Sequence, residues 1–173
     1  KSLILIMIKS LFFKFKDYFM MRSVLPLGFI AASRFFGLFI ILPVLSLYAL
    51  ELDGANEFLA GLTIGAYAIT QMIFQIPFGS LSDKFGRKFM MCVGLIIFII
   101  GSFICAIAND IYIMLLGRLL QGCGAVGAVA TAMISDLVSE DKRSKAMAML
   151  GGMIGIAFAL SMVLSPLLSR EFG

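Results

Sequence analysis

The chain has 173 residues, of which 61% are hydrophobic and only 14% charged, with a formal net charge of +4. Soluble domains are about 45–50% apolar and about 25% charged, so a water-soluble core is excluded and an all-α polytopic membrane protein is implied. Three cysteines in apolar runs (Cys92, Cys105, Cys123) and no histidine exclude a disulfide framework, a histidine-based triad and a histidine zinc site.

Residues 1–23 form a basic and apolar N-terminal segment. Leu3 to Ile8 is too short to span a bilayer. Leu11 to Phe19 alternates Phe with Lys and is expected to lie on the inner membrane surface. The other reading is that translation starts at Met20 or Met21. Residues 24–173 form a transmembrane bundle. About 20 mostly apolar residues cross the hydrocarbon, and pairing backbone groups within helices is the open-chain solution in lipid. Five windows qualify, at about 25–50, 58–81, 89–108, 111–135 and 146–168. The connections are short, so consecutive spans should be antiparallel neighbours. Ser139 is a candidate N-cap for span 5.

Charge sets the orientation. Lys1, Lys9, Lys14, Lys16 and Arg22 precede span 1, Lys84, Arg87 and Lys88 lie between spans 2 and 3, and Lys142, Arg143 and Lys145 lie between spans 4 and 5. These are eleven of the fourteen basic residues, and all fall on one side. The positive-inside rule makes that side, and the N-terminus, cytoplasmic. The acidic 51–57 loop then faces outward. Basic residues scattered in this way form no nucleic-acid surface.

Polar groups at depth are expensive and mark sites. Arg34 lies about nine residues into span 1, roughly 14 Å along a helix. It would either hold an anionic group or a carboxylate, or lock packing on backbone carbonyls. Arg118 in span 4 shares a face with Gln121 and Gly122. A packing lock is the favoured reading there, with Gly124, Gly127 and Ala128 continuing a small-residue surface. Tyr67, Gln71 and Gln75 form a stripe on span 2 that lines a cavity or bonds to a neighbour. Gly151, Gly155 and Ala159 on span 5 favour a close helix contact. Pro43, Pro77 and Pro166 should bend or end helices. No Asp or Glu lies in the middle of a span.

The loop after span 2 reads Gly79-Ser80-Leu81-Ser82-Asp83-Lys84-Phe85-Gly86-Arg87-Lys88. It resembles the signature G-x-x-x-D-[RK]-x-G-[RK]-[RK] between helices 2 and 3 of the major facilitator superfamily, and it matches at every specified position. Gly79 would permit close packing and Gly86 a sharp turn, Asp83 could face a helix N-terminus, and Arg87 can reach Asp136. Arg118-Leu119-Leu120-Gln121-Gly122 is similar to the family's helix 4 signature. Gly37 with Pro43-Val44 resembles the helix 1 pattern of its drug/proton antiporter branch, with Ser46 where a second proline is usual. Span 5 resembles the antiporter motif, with Ser165-Pro166 in place of Gly-Pro.

The resemblance covers residues 24 to 168. It implies a twelve-helix secondary transporter in which two bundles alternate access, with this chain matching helices 1 to 5 of the first. The C-terminal bundle that Asp83 would meet is missing from it. By the same resemblance Gly79, Asp83, Gly86, Arg87, Lys88 and Asp136 form a cytoplasmic gate. Arg34, Tyr67, Gln71, Gln75, Arg118 and Gln121 are candidates along the translocation path, and Gly122, Gly151, Gly155 and Pro166 for helix packing. The expected function is proton-coupled efflux of a small molecule of unknown identity across a bacterial inner membrane. The alternative is a truncated, non-transporting interaction or regulatory subunit. No cofactor, metal or nucleic-acid partner is implied, and no nucleophile–base pair suggests an enzyme. Two deep arginines without a deep carboxylate suit an anion, whereas the antiporter branch suggests drugs.

Overall fold

In a computed structural model the described residues form six α-helices: α1 (Ser2–Glu51), α2 (Glu57–Phe85), α3 (Arg87–Ala106), α4 (Ile111–Cys123), α5 (Val126–Leu137) and α6 (Glu140–Phe172). The structure describes the backbone of residues 2–172 and the side chains of Arg22, 24–45 and 47–170. The expected placement of Leu11 to Phe19 on the membrane surface concerns side chains outside the described residues. Five helical stretches among the described residues are long and apolar enough to cross a membrane, with α4 and α5 together making the fourth. The fold is an all-α membrane bundle.

Local chemistry sets the helix ends. Asn56 accepts from the Leu59 amide at 2.8 Å and caps α2, and Asp110 accepts from the Tyr112 amide at 2.6 Å and caps α4. Gly86, at φ +95°, turns the chain between α2 and α3, a conformation that L side chains rarely adopt. α6 starts directly after Ser139, as expected for an N-cap position. Asp53 exchanges backbone hydrogen bonds with Asn109 (3.2 Å) and Ile111 (3.1 Å), tying together the two loops at the acidic end.

One expectation is corrected. Span 4 is not one helix, because Gly124 and Ala125 interrupt it. Of the two effects expected of Pro43, Pro77 and Pro166, bending or ending a helix, ending is not seen, since α1, α2 and α6 each run through their proline. Consecutive spans are in contact, and among them the third and fourth pack most extensively. α6 packs chiefly along α1, while α4 packs on both α2 and α3. A short loop brings two helix ends together but does not choose which faces mesh; small residues do that. A Cβ on Gly101 would lie 2.6 Å from the Gln121 amide nitrogen, and one on Gly122 would strike Thr70 and the Tyr67 carbonyl. These glycines let α3 and α2 close onto α4, which with α5 forms the most buried span.

Among the described residues two apolar clusters form the core. One, toward the basic end, includes Val24, Leu27, Phe78, Met90, Val126, Val129, Ile134 and Leu150. The other, at the acidic end, includes Leu45, Ala49, Leu52, Ala60, Ile111 and Met114.

Candidate functional site

At the basic end α2, α3 and α5 meet on one guanidinium. Arg87 Nε donates to Asp136 Oδ2 at 2.8 Å. Its NH2 pairs with Asp83 one helical turn earlier, across Gly86. NH1 donates to Ser82 Oγ and, at 3.5 Å, to the Gly79 carbonyl. Arg87 is 21% exposed, while Asp83 and Asp136 are 61% and 56% exposed. Exposed ion pairs of this kind contribute about 0–1 kcal/mol each, so the cluster fixes geometry more than it stabilises. Lys88 is exposed beside it. The expectation that Gly79 admits a close neighbour is not met within this chain: a Cβ there would meet nothing within 4 Å. Asp83 pairs with Arg87, the first residue of α3, at that helix's N-terminal end.

The mid-depth layer is built on the interruption of span 4. Gly124 (φ −76°, ψ 66°) and Ala125 (φ −72°, ψ 57°) form two successive inverse γ-turns, closed by Ala125 N–H to Cys123 O at 2.9 Å and Val126 N–H to Gly124 O at 2.7 Å. A helix broken in a membrane must have its freed carbonyls satisfied by protein. Arg34 does this from α1, with NH2 donating to the Gly124 oxygen at 2.8 Å. Close approach also demands glycine at 124, because a Cβ would collide with the Gly94 carbonyl oxygen of α3.

Arg118 is bound in a parallel way. Its Nε donates to the Thr63 carbonyl at 3.3 Å and NH1 to Gln121 Oε1 at 2.8 Å. Gln121 Nε2 donates to Ser102 Oγ at 2.8 Å, and Ser102 to the Phe98 carbonyl at 2.8 Å. The chain of bonds links α2, α4 and α3. Arg34 is 5% and Arg118 3% exposed. Both lie against the Tyr67 ring, with guanidinium carbons 5.9 and 5.4 Å from its centroid. The Tyr67 hydroxyl and Gln71 Oε1 are buried without a hydrogen bond of ordinary length and angle, whereas Gln75 is exposed. Arg118, Gln121 and Ser102 also line a cavity of about 300 Å³ between α1, α3 and α4, walled by Ile41, Val44, Leu45 and Met114.

Some expected contacts are absent. Gly151 and Gly155 are exposed, and a Cβ on either would meet nothing within 4 Å, as is also true of Gly127. α6 turns a different face to α1. A Cβ on Gly28 would strike Met153, and Ser161 Oγ donates to the Phe36 carbonyl at 3.0 Å. Pro166 is exposed near the end of α6. Sequence reasoning missed Ser102 and Thr63. Ser102, one of few polar residues in span 3, was a visible signal; Thr63 contributes a backbone carbonyl and left none.

Residues 27–173 match the sequence profile of the Major Facilitator Superfamily. The chain belongs to this superfamily. It is 47% identical over 152 residues to the inner membrane transport protein YajR of Escherichia coli K12, covering 88% of this chain and 34% of that protein. An uncharacterized transporter of Buchnera aphidicola from Baizongia pistaciae is 43% identical over 152 residues, covering 88% of this chain and 39% of its own length. The quinolone resistance protein NorA of Staphylococcus aureus is 30% identical over 143 residues, covering 82% and 37%. The chain thus spans 34–39% of the length of these relatives. As a superfamily member it is an integral membrane protein.

Proposed function

We propose that this chain is the N-terminal part of a secondary transporter that moves a small molecule across a bacterial inner membrane by alternating access, as a proton-coupled exporter. The observation that carries this reading is the Arg87 cluster, in a superfamily member whose relatives include proteins named for transport. One guanidinium on α3 holds Ser82 and Asp83 of α2 and Asp136 of α5 at one end of the bundle. Each contact is weak enough to break and re-form in a two-state change, because both carboxylates are more than half exposed. Such a cluster suits a gate: formed, it holds one arrangement of the bundle, and broken, it releases it. The basic end, with its loops at Gly86 and Ser139, is the cytoplasmic one by the positive-inside rule.

The test uses the complete protein in proteoliposomes with an imposed pH gradient. Gradient-driven movement of a solute, accompanied by proton flux in the opposite direction, is expected. A correctly inserted protein that moves neither solute nor protons overturns the reading.

A further inference from the structure

The break in span 4 leaves a helix N-terminus inside the membrane. α5 is 12 residues long and begins at Val126, directly after the two γ-turns. Ala125 occupies its N-cap position and offers no side-chain acceptor, so no side chain caps the first-turn amides. A helix N-terminus carries partial positive charge and presents N–H donors. Space above this turn is open: a Cβ on Gly127 would meet nothing within 4 Å.

A second, independent observation falls at the same place. Arg34, 95% buried by its 5% exposure, bonds the Gly124 carbonyl through NH2 only. Its Nε and NH1 are buried without a hydrogen bond of ordinary length and angle, and the Tyr67 hydroxyl is a neutral acceptor beside the guanidinium. Arg118 adds a second guanidinium on the same Tyr67 ring, and no Asp or Glu in the middle of any span offsets either charge. A buried cation with unused donors calls for an anionic counterpart. The surroundings are aromatic, with Phe98 4.9 Å and Phe35 5.5 Å from the guanidinium carbon.

The geometry points to an anion site at the α4–α5 break, in which Arg34 and the first turn of α5 bind the carboxylate of an organic acid. The apolar body of that acid would lie among the rings. Its role as a substrate subsite rests on the transport reading above; the binding itself does not.

The experiment titrates the full chain, reconstituted in lipid nanodiscs, with benzoate and with benzylammonium, which has the same ring and the opposite charge. Binding is followed by calorimetry, and helix content by circular dichroism. Saturable binding of benzoate and none of benzylammonium is expected. Arg34→Gln should weaken benzoate about tenfold or more, as loss of a charge-assisted hydrogen bond predicts. Arg34→Gln also frees the Gly124 carbonyl and can unfold the break. Gly127→Leu therefore serves as the second variant: it keeps every charge, fills the space above the first turn, and should weaken benzoate similarly. Failure of the helical parent chain to bind benzoate, equal binding of benzylammonium, or undiminished binding by Gly127→Leu overturns the site. No gradient or flux enters this assay. A negative result removes the carboxylate site and leaves the transport reading standing, whereas a complete protein that moves no solute removes the transport reading and leaves the binding result intact.

Discussion

Gln121 takes part in two polar contacts at once, accepting from Arg118 and donating to Ser102. Replacing it with Leu leaves a buried guanidinium N–H and the Ser102 hydroxyl each short of a partner. The expected cost is about 1–3 kcal/mol, read from the unfolding midpoint in mixed micelles. A midpoint unchanged from the parent would show that the Arg118 chain of bonds is dispensable. Glycine gives a sharper contrast, because two positions in one bundle predict opposite results. At Gly122 a side chain would meet the Tyr67 carbonyl and Thr70, so Gly122→Val should cost about 1–3 kcal/mol or more through overpacking. At Gly155 nothing lies within 4 Å, and Gly155→Ala should be neutral or slightly stabilising in the same assay. The sequence showed both as glycines at helical spacing in apolar runs. Spacing tells which faces permit close approach, but which face is used depends on the helix opposite, and α6 met α1 through Met153 and Ser161 instead.

At the scale of the helix, hydropathy located all five spans, because the bilayer requirement for a long apolar run is local and direct. The break in span 4 was not legible. Gly124-Ala125 sits in a stretch, 119–135, with no charge or proline, and its stability depends on Arg34, 90 residues away, and on the Gly94 carbonyl of α3. The turn at Gly86 was legible, since glycine between two apolar runs beside four charges signals a tight reversal. Gly86→Ala forces a side chain into φ +95° and should destabilise by about 1–3 kcal/mol, measured as above. The Arg87 to Asp136 pairing was also legible, because the basic and acidic residues had to share one membrane side. The stripe on α2 was legible only as a stripe: Tyr67 is buried, Gln71 half-buried and Gln75 exposed, and periodicity alone does not rank them.

For the whole molecule, the charge asymmetry makes an orientation prediction. In a cysteine-free background, a membrane-impermeant maleimide should label Glu57→Cys on intact cells and Lys84→Cys only after permeabilisation. The reverse pattern would invert the topology. The proposed mechanism makes a further separation between stability and function. The acids of the Arg87 cluster are more than half exposed, so Asp83→Asn should change stability by no more than about 1 kcal/mol. If the cluster is a gate, the same small change shifts the balance between two bundle arrangements. The most direct measurement is solute flux by the complete protein carrying Asp83→Asn, at matched insertion and matched unfolding midpoint. The account predicts that flux falls severalfold, up to the about fivefold population change that roughly 1 kcal/mol produces. Parental flux from a normally inserted Asp83→Asn protein would contradict it.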